Sequence, residues 1–359
     1  MDILLDEVGW EDRTTLALGT MYGRYGYSRY RMEKFEAYDT YMENKNFLKS
    51  TSVITFPDST GRLMALKPDV TMSVVKNVKP EEHAKKVYYV ENVFRMERDT
   101  HEYREVKQIG LEYIGDEGFY PEAETMMLAA KTLETISNDF VICISHMDVI
   151  SGLLEEFRAD ESEKKIILDA IRKRTAHGLT EKTGLSEENA AVLKTITCLP
   201  GDASLAIDKL HGLNMGEKAA QSVSELERIV GVLSDAGFGD KVRIDFSIIN
   251  DTDYYSGTAF QGYINGVPRA VLSGGRYDNL MHRLGKDKRA IGFAVYLGEL
   301  TRYFNKVRHW DADVALVYGD TPAEKVFKAV ESYAEKGLSV RAFKSLPAGF
   351  SAKETVVIE

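Results

Sequence analysis

The chain has 359 residues, 44% hydrophobic and 28% charged, which admits two or three domains around a large core and excludes global disorder. Its net charge of -10 argues against a nucleic-acid partner, because phosphate affinity rests on clustered Lys and Arg. Two cysteines, Cys143 and Cys198, make neither a disulfide framework nor a zinc-like spacing. No apolar run approaches the ~20 residues of a membrane span, and residues 1–7 lack a leader pattern, so a cytoplasmic protein with no membrane attachment is expected.

Taken in chain order, apolar periodicity predicts a helix over 6–25, broken by Gly26-Tyr27-Ser28, and then a strand over 29–38. Two strands at 53–56 and 62–67 flank a Pro57-Asp58-Ser59-Thr60-Gly61 turn and read as a hairpin. A helix is expected at 70–77. Val, Tyr and Phe at 86–95 and Ile, Leu and Tyr at 107–115 read as two antiparallel strands joined by a charged loop. A helix at 122–135 and a strand at 140–146 follow. From 151 to 237 aromatics almost vanish and long helix formers dominate, which reads as a helical insertion. Strand signals return at 242–249, 258–263 and 269–273, with Asn265-Gly266 as the strongest hairpin-turn signal. The apolar stretch 290–300 reads as a buried helix.

The tail carries a strand at 314–318. Thr321-Pro322-Ala323-Glu324 reads as a capping box opening a helix that stops at Gly337, and two more strands follow at 340–343 and 356–358. The predicted organisation is α+β. A core spans 1–150 and 238–308, a helical insertion 151–237, and a small partial α/β unit 309–359.

The sharpest motif is the charged hairpin from Phe94 to Gln108. An arginine at a strand end, Arg95, suits an anion through its planar fork, although a solvated hairpin of alternating charges gives the same pattern. Gln108 and Glu112 are four apart on a strand and so share a face, where an amide and a carboxylate can meet an ammonium or an imidazole N–H. Leu66-Lys67-Pro68-Asp69-Val70-Thr71 adds a carboxylate and a hydroxyl at a strand-to-helix junction, where plain helix capping is the alternative. Asp253-Tyr254-Tyr255-Ser256-Gly257 and Gly274-Gly275-Arg276-Tyr277-Asp278 set tyrosines beside glycines, which permit close backbone approach or simply a bend.

In order and spacing these pieces resemble a class II aminoacyl-tRNA synthetase of the histidyl type over roughly residues 1–300. The resemblance implies an antiparallel sheet flanked by helices and a histidine pocket. Asp69 and Thr71 would hold the α-ammonium with help from Gln108, Glu112 would face the imidazole, Tyr255 and Tyr277 would line the slot, and Arg95 would meet the α-carboxylate. It also exposes departures. Where such synthetases carry arginines for ATP, this chain has Asn250 and Glu299. Losing one cation at the α-phosphate can cost ~3–4 kcal/mol of transition-state stabilisation. The loop between Arg98 and Tyr103 is also short, as is the tail. On these grounds the chain resembles, within that group, the regulatory subunits of hetero-oligomeric ATP phosphoribosyltransferase. That resemblance implies no catalysis, no cofactor, and L-histidine as ligand. It further implies a catalytic-subunit partner and a homodimer within a larger assembly. An active synthetase, with Arg243, Arg269 or Arg276 as substitute cation, remains the alternative reading, as does a paralogue binding another amino acid.

Overall fold

The computed structural model describes residues 8–42, 53–79, 84–96, 101–115, 118–248, 255–304 and 310–359. The chain divides into two compact units, Met1–Phe304 and Asn305–Glu359.

In the first unit, helix α1 (Trp10–Arg24) precedes strands β1 (Ser28–Arg29) and β2 (Phe35–Ala37), the short α2 (Asp39–Met42), and strands β3 (Thr55–Pro57) and β4 (Leu63–Leu66). The predicted strand at 29–38 is therefore two short strands in different sheets, separated by irregular backbone. β3 and β4 form the expected hairpin and β2 closes a three-stranded sheet. Helix α3 (Val70–Lys76) leads into the long pair β5 (Lys85–Met96) and β6 (Tyr103–Gly115), antiparallel throughout. Then come α4 (Tyr120–Ile136) and β7 (Phe140–His146).

The insertion is all helical: α5 (Met147–Glu156), α6 (Glu161–Arg172), α7 (Leu179–Thr183), α8 (Glu187–Thr197), α9 (Ala203–His211) and α10 (Glu217–Asp235). α6 opens on a true capping box, in which Asp160 accepts from the Glu163 amide at 2.9 Å and Glu163 accepts from the Asp160 amide at 2.8 Å. The apolar stripes of these helices, with Leu153, Ile167, Leu193, Val223 and Leu226, join one core with Leu111, Met126, Leu133 and Phe293 of the sheet and α4.

The remaining elements of this unit are β8 (Val242–Ile244), β9 (Thr258–Ile264), β10 (Leu272–Arg276), α11 (Asp278–Arg283), β11 (Arg289–Tyr296) and α12 (Leu297–Phe304). Two expectations are corrected here. The strand read at 242–249 ends at Ile244 and passes into a 3-10 turn at Phe246–Ile248. The stretch read as a buried helix is β11 followed by α12. β11 lies between β6 and β10 with both faces covered, so it shows a continuous apolar run in place of the alternation that marks a half-exposed strand. Asn265-Gly266 does turn the chain between β9 and β10, with Gly266 at φ 83° and a Val267 amide to Ile264 carbonyl bond of 3.0 Å.

The described strands form an eight-stranded sheet in the order β1-β5-β6-β11-β10-β9-β7-β8. The interior pairs are antiparallel, and the two edge pairs, β1–β5 and β7–β8, are parallel. The middle is where backbones come closest. A Cβ on Gly110 would lie 2.2 Å from the Phe293 carbonyl oxygen, and one on Gly274 would lie 2.5 Å from that of Gly292. Glycine is required at both.

The second unit is a three-stranded parallel sheet, β13 (Val340–Phe343), β12 (Ala312–Val317) and β14 (Ala352–Val357), with helix α13 (Ala323–Ala334) as its crossover. The predicted capping box does not form. Pro322 is the N-cap, without a side-chain bond, and Thr321 instead donates to the Ile358 carbonyl at 3.1 Å.

Candidate functional site

The site is built around Glu112, on the buried half of β6 and 1% exposed. A carboxylate so far from water needs partners on both oxygens. Thr71 in the first turn of α3 donates to Oε1 at 2.8 Å, and Tyr277, the residue between β10 and α11, donates to Oε2 at 2.6 Å. The second is a short O–H to carboxyl bond, at the close end of the range for such donors. Neither donor is a cation. Burial accordingly pushes the Glu112 carboxyl up to about 8, against the pull of the Tyr277 and Thr71 hydrogen bonds, with a smaller rise from the charge of Asp69.

Thr71, Gln108, Glu112, Tyr255 and Tyr277 line one cavity of about 60 Å³. Gln108 and Glu112 point the same way from β6, as their spacing predicts. By the ~10–15 Å³ that one water requires, the cavity has room for about four to six, a scale that suits a small amino acid and not a nucleotide. Glycine keeps it open. A Cβ on Gly275 would lie 2.5 Å from the Tyr255 ring, and one on Gly292 would lie 1.8 Å from Glu112 Oε2.

Asp69 and Arg95 stand apart from that lining. Asp69 Oδ1 accepts from the Met72 amide at 2.9 Å and caps α3, so the capping alternative for this residue is realised. Its Oδ2 is 3.7 Å from Arg95 Nη2. Arg95 Nε donates to the Pro68 carbonyl at 2.8 Å, which ties the end of β5 to the start of α3. Sequence reasoning did not single out Tyr89 and Tyr296, which line the cavity along with Ser273 at the head of the glycine-rich motif. Burial raises the phenols of three of the lining tyrosines, Tyr89, Tyr255 and Tyr296, above their ordinary value, so they remain O–H donors. Tyr296 stands opposite Gln108 in the β6–β11 register, a relation visible only once β11 is recognised as a strand.

Tyr296 also borders a wider cleft of about 420 Å³, lined by Arg95, Arg104, Arg269 and Glu299 among others. Each described arginine on this cleft stands beside a carboxylate. Arg95 meets Asp69, Arg104 lies 3.7 Å from Glu102, and Arg269 lies 3.7 Å from Glu299. Arg276, a candidate substitute cation, is held at 2.7 Å by Asp278 and faces Glu122 at 4.0 Å. Asn250, with Asp253 and Tyr254, lies outside the described residues, as do Glu97 and Arg98.

Comparison with known proteins agrees with this architecture. The chain is 26% identical over 355 residues to the ATP phosphoribosyltransferase regulatory subunit of Ruminiclostridium cellulolyticum, covering 95% of this chain and 84% of that one. It is 27% identical over 310 residues to the protein of the same name from Clostridium botulinum, covering 83% and 73%. A structure from Bacillus halodurans, described as an ATP phosphoribosyltransferase regulatory subunit/histidyl-tRNA synthetase, superposes with a TM-score of 0.79 at 21% identity over 97% of this chain and 93% of that one. The ATP phosphoribosyl transferase (HisG:HisZ) complex of Thermotoga maritima matches with a TM-score of 0.65 at 17% identity, over 80% and 97%. These structural likenesses show the fold. The family profile for histidyl-tRNA synthetase matches residues 1–300, and the chain belongs to that family.

Proposed function

We propose that this chain is a non-catalytic, histidine-binding regulatory subunit of ATP phosphoribosyltransferase, which activates and feedback-regulates a catalytic subunit in the first step of histidine biosynthesis. The observation that carries the reading is a contrast between two neighbouring spaces. The small cavity around Glu112 keeps Thr71, Gln108, Glu112, Tyr255 and Tyr277 on its lining, while the adjoining cleft has Glu299 set against Arg269, so that among the described residues developing phosphate charge there meets no surplus cation. The names of the relatives support the same reading.

In this account L-histidine places its imidazole N–H on Glu112 between Tyr255 and Tyr277. Its ammonium lies toward Asp69, Thr71 and Gln108, and its carboxylate toward Arg95. Binding regulates the complex only through differential affinity for its two states, and a factor of ~100 corresponds to roughly 2.7 kcal/mol of coupling. A homodimer within a larger hetero-oligomer in the cytoplasm belongs to the reading. So does the division into a core at 1–150 and 238–308, an insertion at 151–237 and a tail at 309–359. Among the described residues no helix is long and apolar enough to cross a membrane.

The test is reconstitution with the catalytic chain. The reading predicts that this protein raises ATP phosphoribosyltransferase activity and that histidine lowers it again, with the histidine effect lost in Glu112→Ala. An unchanged histidine effect in that variant would remove the pocket assignment, and no effect of the protein on the catalytic chain would remove the reading itself.

A further inference from the structure

A second cavity, of about 280 Å³, lies on the opposite wing of the sheet, where the helical insertion covers edge strand β8. Its size is close to the ~300 Å³ lower bound of ordinary small-molecule sites. β7 and β8 bury Ile142, Ile144 and Val242 in the core, and Cys143 and Arg243, paired in the β7–β8 register, line this cavity together with Ile244. Arg174, Asp245, Thr197 and Gly201 complete the part of the wall that matters here.

Two features set it apart from a solvated groove. Arg174 follows α6 at φ 50°, with its amide on the Ile171 carbonyl and the Thr175 amide on the Ala170 carbonyl. Glycine is the usual residue at such a helix end, and a side chain there costs about 1 kcal/mol or more. The Arg174 side chain crosses to Asp245 and places Nε 3.1 Å from the Ser247 hydroxyl, so it closes one wall. Arg243 is engaged on one nitrogen only. Its Nη1 donates to the Asp240 and Val242 carbonyls at 2.9 and 2.7 Å, while Nε and Nη2 have no hydrogen-bond partner among the described residues and no carboxylate pairs with it.

Asp245 balances Arg174, which leaves the charge of Arg243 unmatched at the cavity. We propose that this cavity binds a small oxyanion, a phosphate or a carboxylate, on the free edge of the Arg243 guanidinium. A guanidinium edge presents two parallel N–H donors in the geometry that such groups accept. Burial, with a smaller contribution from Asp245, pushes the Cys143 thiol up to about 11, so this wall stays neutral and does not repel an anion.

The two cysteines give a direct test, because both are free and only Cys143 lines the cavity. The full-length chain is alkylated with iodoacetamide at mildly alkaline pH and each cysteine is followed by peptide mass. Inorganic phosphate or acetate is titrated against chloride at constant ionic strength. At an anion concentration of twice its Kd, mass action predicts about threefold slower modification of Cys143, an unchanged rate at the exposed Cys198, and loss of the protection in Arg243→Gln. Protection by phosphate alone or by acetate alone supports the site and identifies its ligand class. No protection by either anion overturns the proposal, as does equal slowing of Cys198 or full protection in Arg243→Gln. Should Arg243→Gln fail to fold, 31P line broadening of inorganic phosphate by the wild-type chain gives the second reading. Broadening that excess acetate reverses, together with Cys143 protection, upholds the site, and the absence of both broadening and protection overturns it.

Discussion

Glu112 and Gly292 face each other in the β6–β11 register, and the carboxylate fills the space that a side chain at position 292 would need. A Cβ there would also lie 2.5 Å from the Leu111 carbonyl oxygen, so rotation of Glu112 alone cannot relieve the clash. Gly292→Ala is expected to cost about 1–3 kcal/mol, as overpacking does, and to abolish histidine binding. Urea unfolding and calorimetric titration check both. An unaltered midpoint and affinity would contradict the close approach of these two strands.

Glu112 also makes stability depend on pH. Its carboxyl lies near 4.5 in the unfolded chain and is pushed up to about 8 by burial in the folded one. Between these values the folded chain holds a proton that the unfolded chain has released. The contribution of this group is therefore fully present below 4.5, is lost as pH rises toward 8, and is level above that. At ~1.4 kcal/mol per pKa unit the span is a few kcal/mol. Glu112→Gln has no such proton, so it should gain stability on the wild type between about pH 5 and about pH 8 in urea melts. A difference between the two proteins that does not change with pH would contradict this.

The cleft beside the pocket makes a separate prediction. Glu299→Arg removes the carboxylate set against Arg269 and adds a guanidinium to a wall that already holds Arg95 and Arg104. ATP affinity should rise by roughly tenfold, about 1.4 kcal/mol, with a steeper salt dependence. Equilibrium dialysis with labelled ATP measures it. An unchanged affinity would show that Glu299 does not control access of a polyphosphate to this cleft.

Lys67 immediately precedes Pro68 and Asp69, is 0% exposed, and lies 2.8 Å from Glu91 Oε2. Its backbone is tied to Lys34 and Phe94 as well, so the pair anchors the strand-to-helix junction that presents Thr71. Lys67→Ala leaves Glu91 without its cation and should cost about 3–5 kcal/mol. Lys67→Met combined with Glu91→Leu should recover most of that. A loss below about 1 kcal/mol in Lys67→Ala, measured by urea unfolding, would mean that the pair behaves like an exposed one.

The parts of the fold legible in the sequence are those whose signal is local. β-branched and aromatic content located β5 and β6, and the spacing of Gln108 and Glu112 placed both on one face. β11 was not legible in the same way, because a strand covered on both sides loses its alternation and looks like a buried helix. That one misreading concealed Tyr296 and Gly292, which reach the site only through their register with β6. The capping motif shows the same limit. Asp160 and Glu163 form their box, whereas Thr321 has the right residues but turns its hydroxyl to Ile358, a partner 37 positions away. Asp69 takes the capping reading open to it, and its other oxygen stands near Arg95, a relation the sequence did not display.

The central claim is an amino-acid pocket retained beside a disabled nucleotide cleft. Its most direct test is histidine-dependent ATP–pyrophosphate exchange by the purified chain, run against an active histidyl-tRNA synthetase. The account predicts no exchange above background at saturating histidine and ATP. Robust exchange would contradict it and would mean that a cation at another backbone position serves the α-phosphate despite Glu299.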